Sequence, residues 1–277
     1  MPGTGMMDGM GYRDTSRIVV AGDWHGNTDW ALHVISMAAS RLDDKNPLAA
    51  RIILHLGDFG VWPGDTGWEY LRQVSEALRA AGMVLWFIDG NHEDFAQLQE
   101  KTERNRRMFP GGIGETEIAP RIYWQPRGSR WVWHGRLWLA LGGGVSLDKA
   151  IRTEGEDWWP EEEITAEQAA KVIVEGGADV MVTHDCPSGV KHTFPPPPPF
   201  WDLRDLARSD AHRELLQRVV DAVQPSHLLH GHLHRSYQRT CDFGYGPVEV
   251  TGLDCDEGDG ANWAVLDVRT MKWEPKP

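Results

Sequence analysis

Cysteine is scarce in this sequence: only Cys186, Cys241 and Cys255 occur among 277 residues. An odd number at these spacings matches neither a disulfide framework nor a thiolate zinc site. We therefore expect a reducing compartment and a chemistry that relies on other residue types. Residues 1–16 also lack the apolar stretch of a secretory signal, so the cytoplasm is the expected location.

Long apolar runs and an excess of basic residues are missing as well. No apolar stretch approaches the length needed to cross a bilayer, so no membrane-spanning segment is expected. The formal net charge of −13 repels polyanions, which argues against stable binding of duplex nucleic acid. A small phosphate ester, such as a nucleotide, is easier to accommodate.

Residues 1–16 are rich in Gly and Met, and we expect them to form a flexible tail in which Met6, Met7 and Met10 are alternative start sites. Residues 17–277 have the length of one large α/β unit and are expected to form a single domain.

Short β-branched runs alternate with periodic stretches in the first hundred residues of this unit. The predicted strands are 17–22, 52–56 and 83–88, and the predicted helices are 30–42, 68–81 and 94–101. This alternation predicts successive βαβ units with a parallel sheet.

The later part of the chain begins with short aromatic strands at 122–124, 130–133 and 137–141, which predict an antiparallel meander that Trp residues pack on. Helices at 165–175 and 206–223 and a strand at 179–183 then restore the α/β pattern. We therefore expect mixed sheets. The Pro195–Pro199 run favours an extended segment, either a spacer or a rim of the substrate site.

Five short motifs place oxygen or imidazole groups just after predicted strands. They are Asp23-Trp24-His25-Gly26, Gly57-Asp58, Gly90-Asn91-His92-Glu93, Thr183-His184-Asp185 and Gly231-His232-Leu233-His234. Because the carboxyl ends of parallel strands converge on one crevice, these five loops can build a single site.

The chemistry of these side chains indicates metal binding. A set of Asp, His and Asn without thiolates suits Mn, Fe or Zn, whereas Mg or Ca prefers oxygen alone. Seven candidate ligands are too many for one tetrahedral ion, but they satisfy two ions that share a carboxylate.

The five motifs, in this order, resemble those of the calcineurin-like metallophosphoesterase superfamily over residues 17–234. The resemblance implies an α/β fold of two packed mixed sheets flanked by helices, in four layers. It also implies hydrolysis of phosphate esters by water that two divalent metal ions activate, with Mn as the leading choice and Fe or Zn as alternatives.

The resemblance also implies a role for each motif residue. Asp23, His25 and His234 would bind one metal, Asn91, His184 and His232 the other, and Asp58 both. His92 would be the general acid, which protonates the leaving oxygen or stabilises charge on the phosphoryl oxygens.

The sequence departs from the protein phosphatase branch of this family after Asp58. That branch continues with an Asp that orients the catalytic His and an Arg that grips phosphate, and the segment from Phe59 to Trp62 supplies neither. The stretch 142–163 instead resembles a small bacterial and phage branch. Lys149 and Arg152 follow its Gly-rich turn, and we expect them to hold the substrate phosphate.

Several residues allow a structural reading beside a functional one. Trp158 and Trp159 either wall the substrate pocket or pack in the core. His55 and His230 precede ligand positions and either orient ligands or belong to the core, while Cys186 is expected to occupy an ordinary loop position.

Three functions remain to be distinguished. The leading hypothesis is a hydrolase of phosphomonoesters or small phosphodiesters. The first alternative is a DNA or RNA nuclease of the same superfamily. The second is a noncatalytic binding scaffold, which the complete set of motif residues disfavours.

Overall fold

The computed structural model describes residues 15–42, 50–108, 115–192, 198 and 201–274. Within these residues, helices and strands alternate in an α/β order. The helices are α1 (Thr28–Arg41), α2 (Gly64–Ala81), α3 (Phe95–Met108), α4 (Ala166–Val174) and α5 (Leu203–Val223). The strands are β1 (Arg17–Ala21), β2 (Arg51–His55), β3 (Met83–Phe87), β4 (Thr116–Ala119), β5 (Ile122–Trp124), β6 (Arg130–Trp133), β7 (Arg136–Leu141), β8 (Val180–Thr183), β9 (His227–His230), β10 (Tyr237–Asp242), β11 (Pro247–Gly252), β12 (Trp263–Asp267) and β13 (Lys272–Trp273).

The strands form two mixed sheets. The first has the order β13-β12-β1-β2-β3-β5-β4, with β1, β2, β3 and β5 parallel. The second has the order β10-β11-β9-β8-β7-β6, with β11, β9, β8 and β7 parallel. In both sheets the antiparallel strands lie toward the edges.

Apolar side chains on both faces of each sheet build the layers. Ile18 and Leu54 of the first sheet share a buried cluster with Trp138 and Val182 of the second, so the two sheets pack face to face. The outer face of the first sheet packs against α1, α2 and α3, and that of the second against α4 and α5. The expected four-layer α/β sandwich of two mixed sheets is confirmed.

The expected antiparallel meander over 122–141 is wrong. Strand β5 pairs in parallel with β3 of the first sheet, whereas β6 and β7 form a hairpin in the second. Aromatic strands of this length look alike in sequence, and the short connection between Trp124 and Arg130 carries the chain from one sheet to the other. Trp131 therefore faces Trp86 across the space between the sheets, with ring centroids 5.7 Å apart. Trp124 instead belongs to the cluster under the helices of the first sheet.

Local signals set the ends of several helices. The Asn27 side chain accepts a hydrogen bond from the Trp30 amide and caps α1. Thr165 and Gln168 form a reciprocal capping box at the start of α4. Gly82 ends α2 in the left-handed conformation, which glycine adopts without steric cost.

Most of the segment expected to be a tail, residues 1–14, lies outside the described residues. Thr15 is buried, and its hydroxyl donates a hydrogen bond to the Ala50 carbonyl at 2.9 Å. Of the Pro195–Pro199 run, only Pro198 is described. None of the helices in the described part of the chain is long and apolar enough to cross a bilayer.

Candidate functional site

The five motifs lie at the carboxyl ends of five parallel strands. Asp23 and His25 follow β1, Asp58 follows β2, and Asn91 and His92 follow β3, all in the first sheet. His184 follows β8, and His232 and His234 follow β9, in the second sheet. Face-to-face packing of the sheets brings the two sets of loops together at one edge of the sandwich.

Five of these residues have left-handed backbone conformations, which are uncommon outside glycine. They are Asp23, His25, Asp58, His232 and His234, with φ between 46° and 62°. Such strain concentrates at functional sites, where surrounding structure holds it. Here it turns consecutive polar side chains toward one space.

Glycines allow the carboxylates to approach the backbone closely. A Cβ at Gly90 would lie 2.0 Å from Asp58 Oδ1, and a Cβ at Gly231 would lie 2.3 Å from Asp23 Oδ2. Any side chain at either position would displace a carboxylate.

The side chains form two clusters, and within each cluster the potential ligand atoms all lie within 4.8 Å of one another. One cluster contains Asp23, His25 and His234, and the other contains Asp58, His184 and His232. Each offers carboxylate oxygen and imidazole nitrogen with the geometry to hold a metal ion.

Asp58 connects the two clusters. Its Oδ2 lies 3.4 Å from Nε2 of His25, and its Oδ1 lies 3.4 Å from Nε2 of His184. The carboxylate is almost fully buried, and the two distances show that it presents one oxygen to each cluster.

Asn91 extends the second cluster, and its amide orientation is set by a buried network. Its Nδ2 donates to Ser146 Oγ at 3.0 Å, and the Ser146 hydroxyl donates to Glu162 Oε2. The Asn91 carbonyl oxygen therefore points the other way, to within 3.1 Å of His184 Nε2. Sequence reasoning missed this role for Ser146 and Glu162.

Hydrogen bonds also orient two of the imidazole rings. His184 Nδ1 donates to the Leu56 carbonyl at 2.8 Å, which leaves Nε2 facing the cluster. His25 Nδ1 lies 3.2 Å from Asp256 Oδ1, and Asp256 in turn accepts a hydrogen bond from Asn27. Sequence reasoning also missed Asp256, because it lies more than 200 residues from His25 and carries no motif.

The buried carboxylates of the site favour positive charge on the groups around them. Burial raises the pKa of Asp23 to about 7. Burial lowers the pKa of His184, but the stronger combined influence of Asp58 and Asp23 raises it to about 10. The balance of burial against Asp58, Asp23 and Asp256 likewise raises the pKa of His25 to about 9. In the metal-free protein, these imidazoles hold protons in the place of cations.

An unsatisfied atom supports the same fit. Asp23 Oδ2 is buried and has no hydrogen-bond partner among the described residues. A buried carboxylate oxygen in that state is costly, and a bound cation would satisfy it. The donor set of carboxylates, imidazoles and one amide oxygen suits a divalent transition metal.

His92 lies beside the clusters. Its Nε2 is 4.0 Å from Asp58 Oδ2, and its backbone amide donates to Asp58 Oδ1. Nδ1 is buried without a hydrogen-bond partner among the described residues, so no described carboxylate orients the ring. Burial, reinforced by Arg152, lowers the pKa of His92 to about 4.

A pocket of about 450 Å³ opens in front of His25 and His92. The other lining residues are Trp62, Pro63, Arg152, Glu156, Asp157 and Trp159. Its mixture of aromatic, cationic and acidic groups is typical of a ligand-binding pocket.

The structure separates Lys149 from Arg152. Arg152 lines the pocket and pairs with Asp148 at 2.6 Å. The Lys149 ammonium instead lies over the Trp158 ring, 3.8 Å from its centroid. A Cβ at Gly144 would lie 3.1 Å from Asn91 Oδ1. The Gly-rich turn between β7 and Lys149 therefore borders the site.

The remaining candidates have structural surroundings. Trp159 lines the pocket and also packs in the core, whereas Trp158 is buried under Lys149. His230 bonds to the Tyr237 hydroxyl, and His55 packs edge-on against Trp24 at 4.7 Å. Cys186 is fully buried.

Comparison with known proteins identifies a family to which the chain is similar. A family model described as calcineurin-like phosphoesterase matches residues 16–236. No curated protein matches the chain. Among solved structures, the chain is similar to the sulfate thiohydrolase SoxB of Thermus thermophilus, solved in complex with glycerol, with 13% identity and a TM-score of 0.42. The match covers 88% of this chain and 40% of that chain, so this chain spans less than half the length of SoxB.

Proposed function

The chain belongs to the calcineurin-like phosphoesterase family, and from this premise we propose that it is a metal-dependent phosphoesterase that hydrolyses small phosphate esters at a two-metal centre. The observation that carries the proposal is the position of Asp58. Its two oxygens each lie 3.4 Å from an imidazole of a different cluster. A carboxylate in that position suits two cations better than one.

The seven ligands divide between two metal positions. Asp23, His25 and His234 would hold one ion, Asn91, His184 and His232 the other, and Asp58 both. The mixed oxygen and nitrogen donors favour Mn, with Fe or Zn as alternatives. When bound, two such ions supply Lewis acidity that polarises the phosphoryl group and acidifies water.

The chain's own residues then position and stabilise the substrate. His92 faces the space beside Asp58 and donates a hydrogen bond or proton to an oxygen of the ester. Arg152 lines the adjacent pocket, where its guanidinium binds a phosphoryl oxygen. Buried Ser146 and Glu162 hold the Asn91 amide in a single orientation.

A hydrolysis screen tests this proposal. Protein loaded with Mn is offered nitrophenyl monoesters and diesters, cyclic nucleotides, dinucleotide polyphosphates and single-stranded DNA. We expect one class of small ester to dominate, and both chelation of the metal and the Asp58→Asn substitution should abolish turnover. Activity that survives chelation would contradict a metal-dependent centre.

The nuclease alternative is disfavoured by charge. The formal net charge is −13, and the acidic residues Glu156 and Asp157 line the pocket beside the clusters. These carboxylates repel the successive phosphates of a nucleic-acid strand, whereas a small ester brings a single phosphoryl group. Preferential cleavage of single-stranded DNA in the screen would reverse this conclusion.

The noncatalytic alternative is disfavoured by the site itself. Scaffolds have no need for a buried, strained constellation of ligands with a histidine beside it.

The three cysteines are free thiols, two of them partly exposed, which fits the expected cytoplasmic location.

A further inference from the structure

Trp62 occupies an unusual position at the pocket. It ends the segment that follows Asp58, lines the pocket with His25 and His92, and remains 37% exposed. A single exposed tryptophan is ordinary on a protein surface, but Trp62 lines a pocket beside His25 and His92, where its ring is placed to contact a bound molecule.

The indole is held in place on two sides. Its Nε1 donates to the His92 carbonyl at 3.2 Å. Its six-membered ring lies over Gly26, where a Cβ would be only 3.1 Å from the ring carbons. A Cβ at Gly67, in the first turn of α2, would lie 1.9 Å from the Trp62 carbonyl oxygen, so the helix also seats the backbone closely. The ring is therefore a preformed surface.

The rest of the pocket defines what this surface meets. Arg152 and His92 provide donors for a phosphoryl group, and Trp159 adds a second aromatic wall. The volume of about 450 Å³ is within the range of pockets for small ligands. Glu156 and Asp157 oppose a second phosphate, yet they can accept hydrogen bonds from the N–H groups of a heterocyclic base.

We propose that Trp62 stacks on a planar aromatic group of the substrate, which is a nucleoside-type ester with a single phosphoryl group. The inference rests on the proposed function, because it assigns the substrate class of the same site. Stacking of a base on an aromatic side chain is sequence-tolerant and needs an exposed ring at the site. Trp62 lines the pocket and is 37% exposed.

Matched esters test the proposal. Adenosine 5′-monophosphate and ribose 5-phosphate have the same primary alkoxide leaving group and differ at the anomeric carbon, which bears the base in one and a hydroxyl group in the other. Their kcat/KM values are measured with Mn-loaded protein, together with those of the methyl diester of each, so that a preference for monoesters or diesters does not matter. We expect the adenosine esters to be favoured by roughly 5- to 100-fold, the range that stacking of one base supplies.

Three variants identify the ring as the cause. Trp62→Ala should lower kcat/KM for the adenosine esters more than for the ribose esters, so that the ratio between the two falls to near one. Trp62→Phe keeps a ring but lacks the indole N–H, so it should retain most of the preference if stacking, rather than the hydrogen bond to His92, is responsible. Trp68→Ala is the matched control, since Trp68 is 70% exposed on α2 and does not line the pocket.

Calorimetry with adenosine, which has no phosphate, gives a readout independent of hydrolysis. Binding should be lost in Trp62→Ala and kept in Trp68→Ala. Equal kcat/KM for adenosine and ribose esters, or an equal loss on both in Trp62→Ala, would overturn the inference while nitrophenyl esters still report an active phosphoesterase. A protein that hydrolyses no ester at all would instead contradict the proposed function, and this inference with it.

Discussion

Asp58 carries more of the proposed chemistry than any other single residue, because one buried carboxylate serves both clusters. Replacing it by Asn keeps the shape but removes the negative charge and one strong acceptor. The proposed role therefore differs from that of Asp23 or His232, whose loss would affect one position first.

We predict that wild-type protein binds two metal ions per chain and that Asp58→Asn weakens both sites. The affinity should fall by at least the ~10–100-fold typical of groups one step further from a metal. Elemental analysis after dialysis measures the stoichiometry, and Asp65→Asn, an exposed aspartate on α2, is the control. Saturation of the wild type at one ion would refute the two-metal centre.

His92 lies next to a proposed ligand in the chain but has a different environment. Burial lowers its pKa to about 4, so its imidazole is neutral at pH 7 in the metal-free protein. A neutral imidazole can still donate one hydrogen bond, and an approaching phosphoryl anion favours its protonation.

We predict that His92→Ala keeps both metals and loses activity by the ~10²–10⁴-fold typical of general acid catalysis. The defect should be larger for an alkyl ester than for a nitrophenyl ester, because an alkoxide leaves poorly without a proton. Steady-state kinetics on both esters, with metal analysis alongside, measures this, and exposed His33→Ala is the control. Equal defects would assign His92 to the phosphoryl oxygens, and a lost metal would make it a ligand.

The connection that follows β7 is the element that joins the two halves of the site. It brings Gly144 against the second cluster, Ser146 to Asn91, and Arg152 to the pocket. Arg127 anchors the far end of this connection, since it pairs with Asp89 at 2.7 Å and donates to the Glu162 carbonyl. One loop thus orients a proposed ligand and also supplies a phosphate-binding group.

We predict that Arg152→Ala and Lys149→Ala have different effects, although the two residues are three positions apart. Arg152→Ala should lower kcat/KM by about 10- to 100-fold, the value of a hydrogen bond to a charged group, with metal content unchanged. Lys149→Ala removes a contact with Trp158 worth about 0.5–1 kcal/mol and should mainly affect stability. Kinetics and thermal denaturation of both variants decide this, and a larger KM effect in Lys149→Ala would contradict it.

The two sheets of the sandwich share one candidate metal site. Loops from both sheets contribute candidate ligands, so a metal bound between them would link the two halves of the molecule. Without metal, the buried carboxylates rely on protonated imidazoles to balance their charge.

We predict that Mn raises the thermal unfolding midpoint. Binding at 100 times the dissociation constant adds about 2.7 kcal/mol, which corresponds to about 5–10 °C for a chain of this size. Scanning calorimetry with Mn and with a chelator measures the shift, and Asp58→Asn should lose most of it. Identical midpoints in both conditions would show that the metals do not stabilise the fold.

The sequence alone determined the α/β class and the candidate ligands. Apolar periodicity located the strands from β1 to β3 and the helices between them. The motifs after β1, β2 and β8 identified Asp23, Asp58 and His184 as candidate ligands. Each of these features depends on a few adjacent residues, so it can be recognised in the sequence without the tertiary structure.

Only the tertiary structure decided which strands share a sheet and which distant residues meet. Strand β5 pairs with β3 in the first sheet. Local sequence does not predict this pairing, because it depends on neighbouring strands that are distant in the chain. Packing between segments far apart in the chain places Asp256 against His25 and leaves Trp62 partly exposed beside His92. Long-range contacts of this kind arise because the two sheets bury their apolar faces against each other, and this packing is a property of the whole fold.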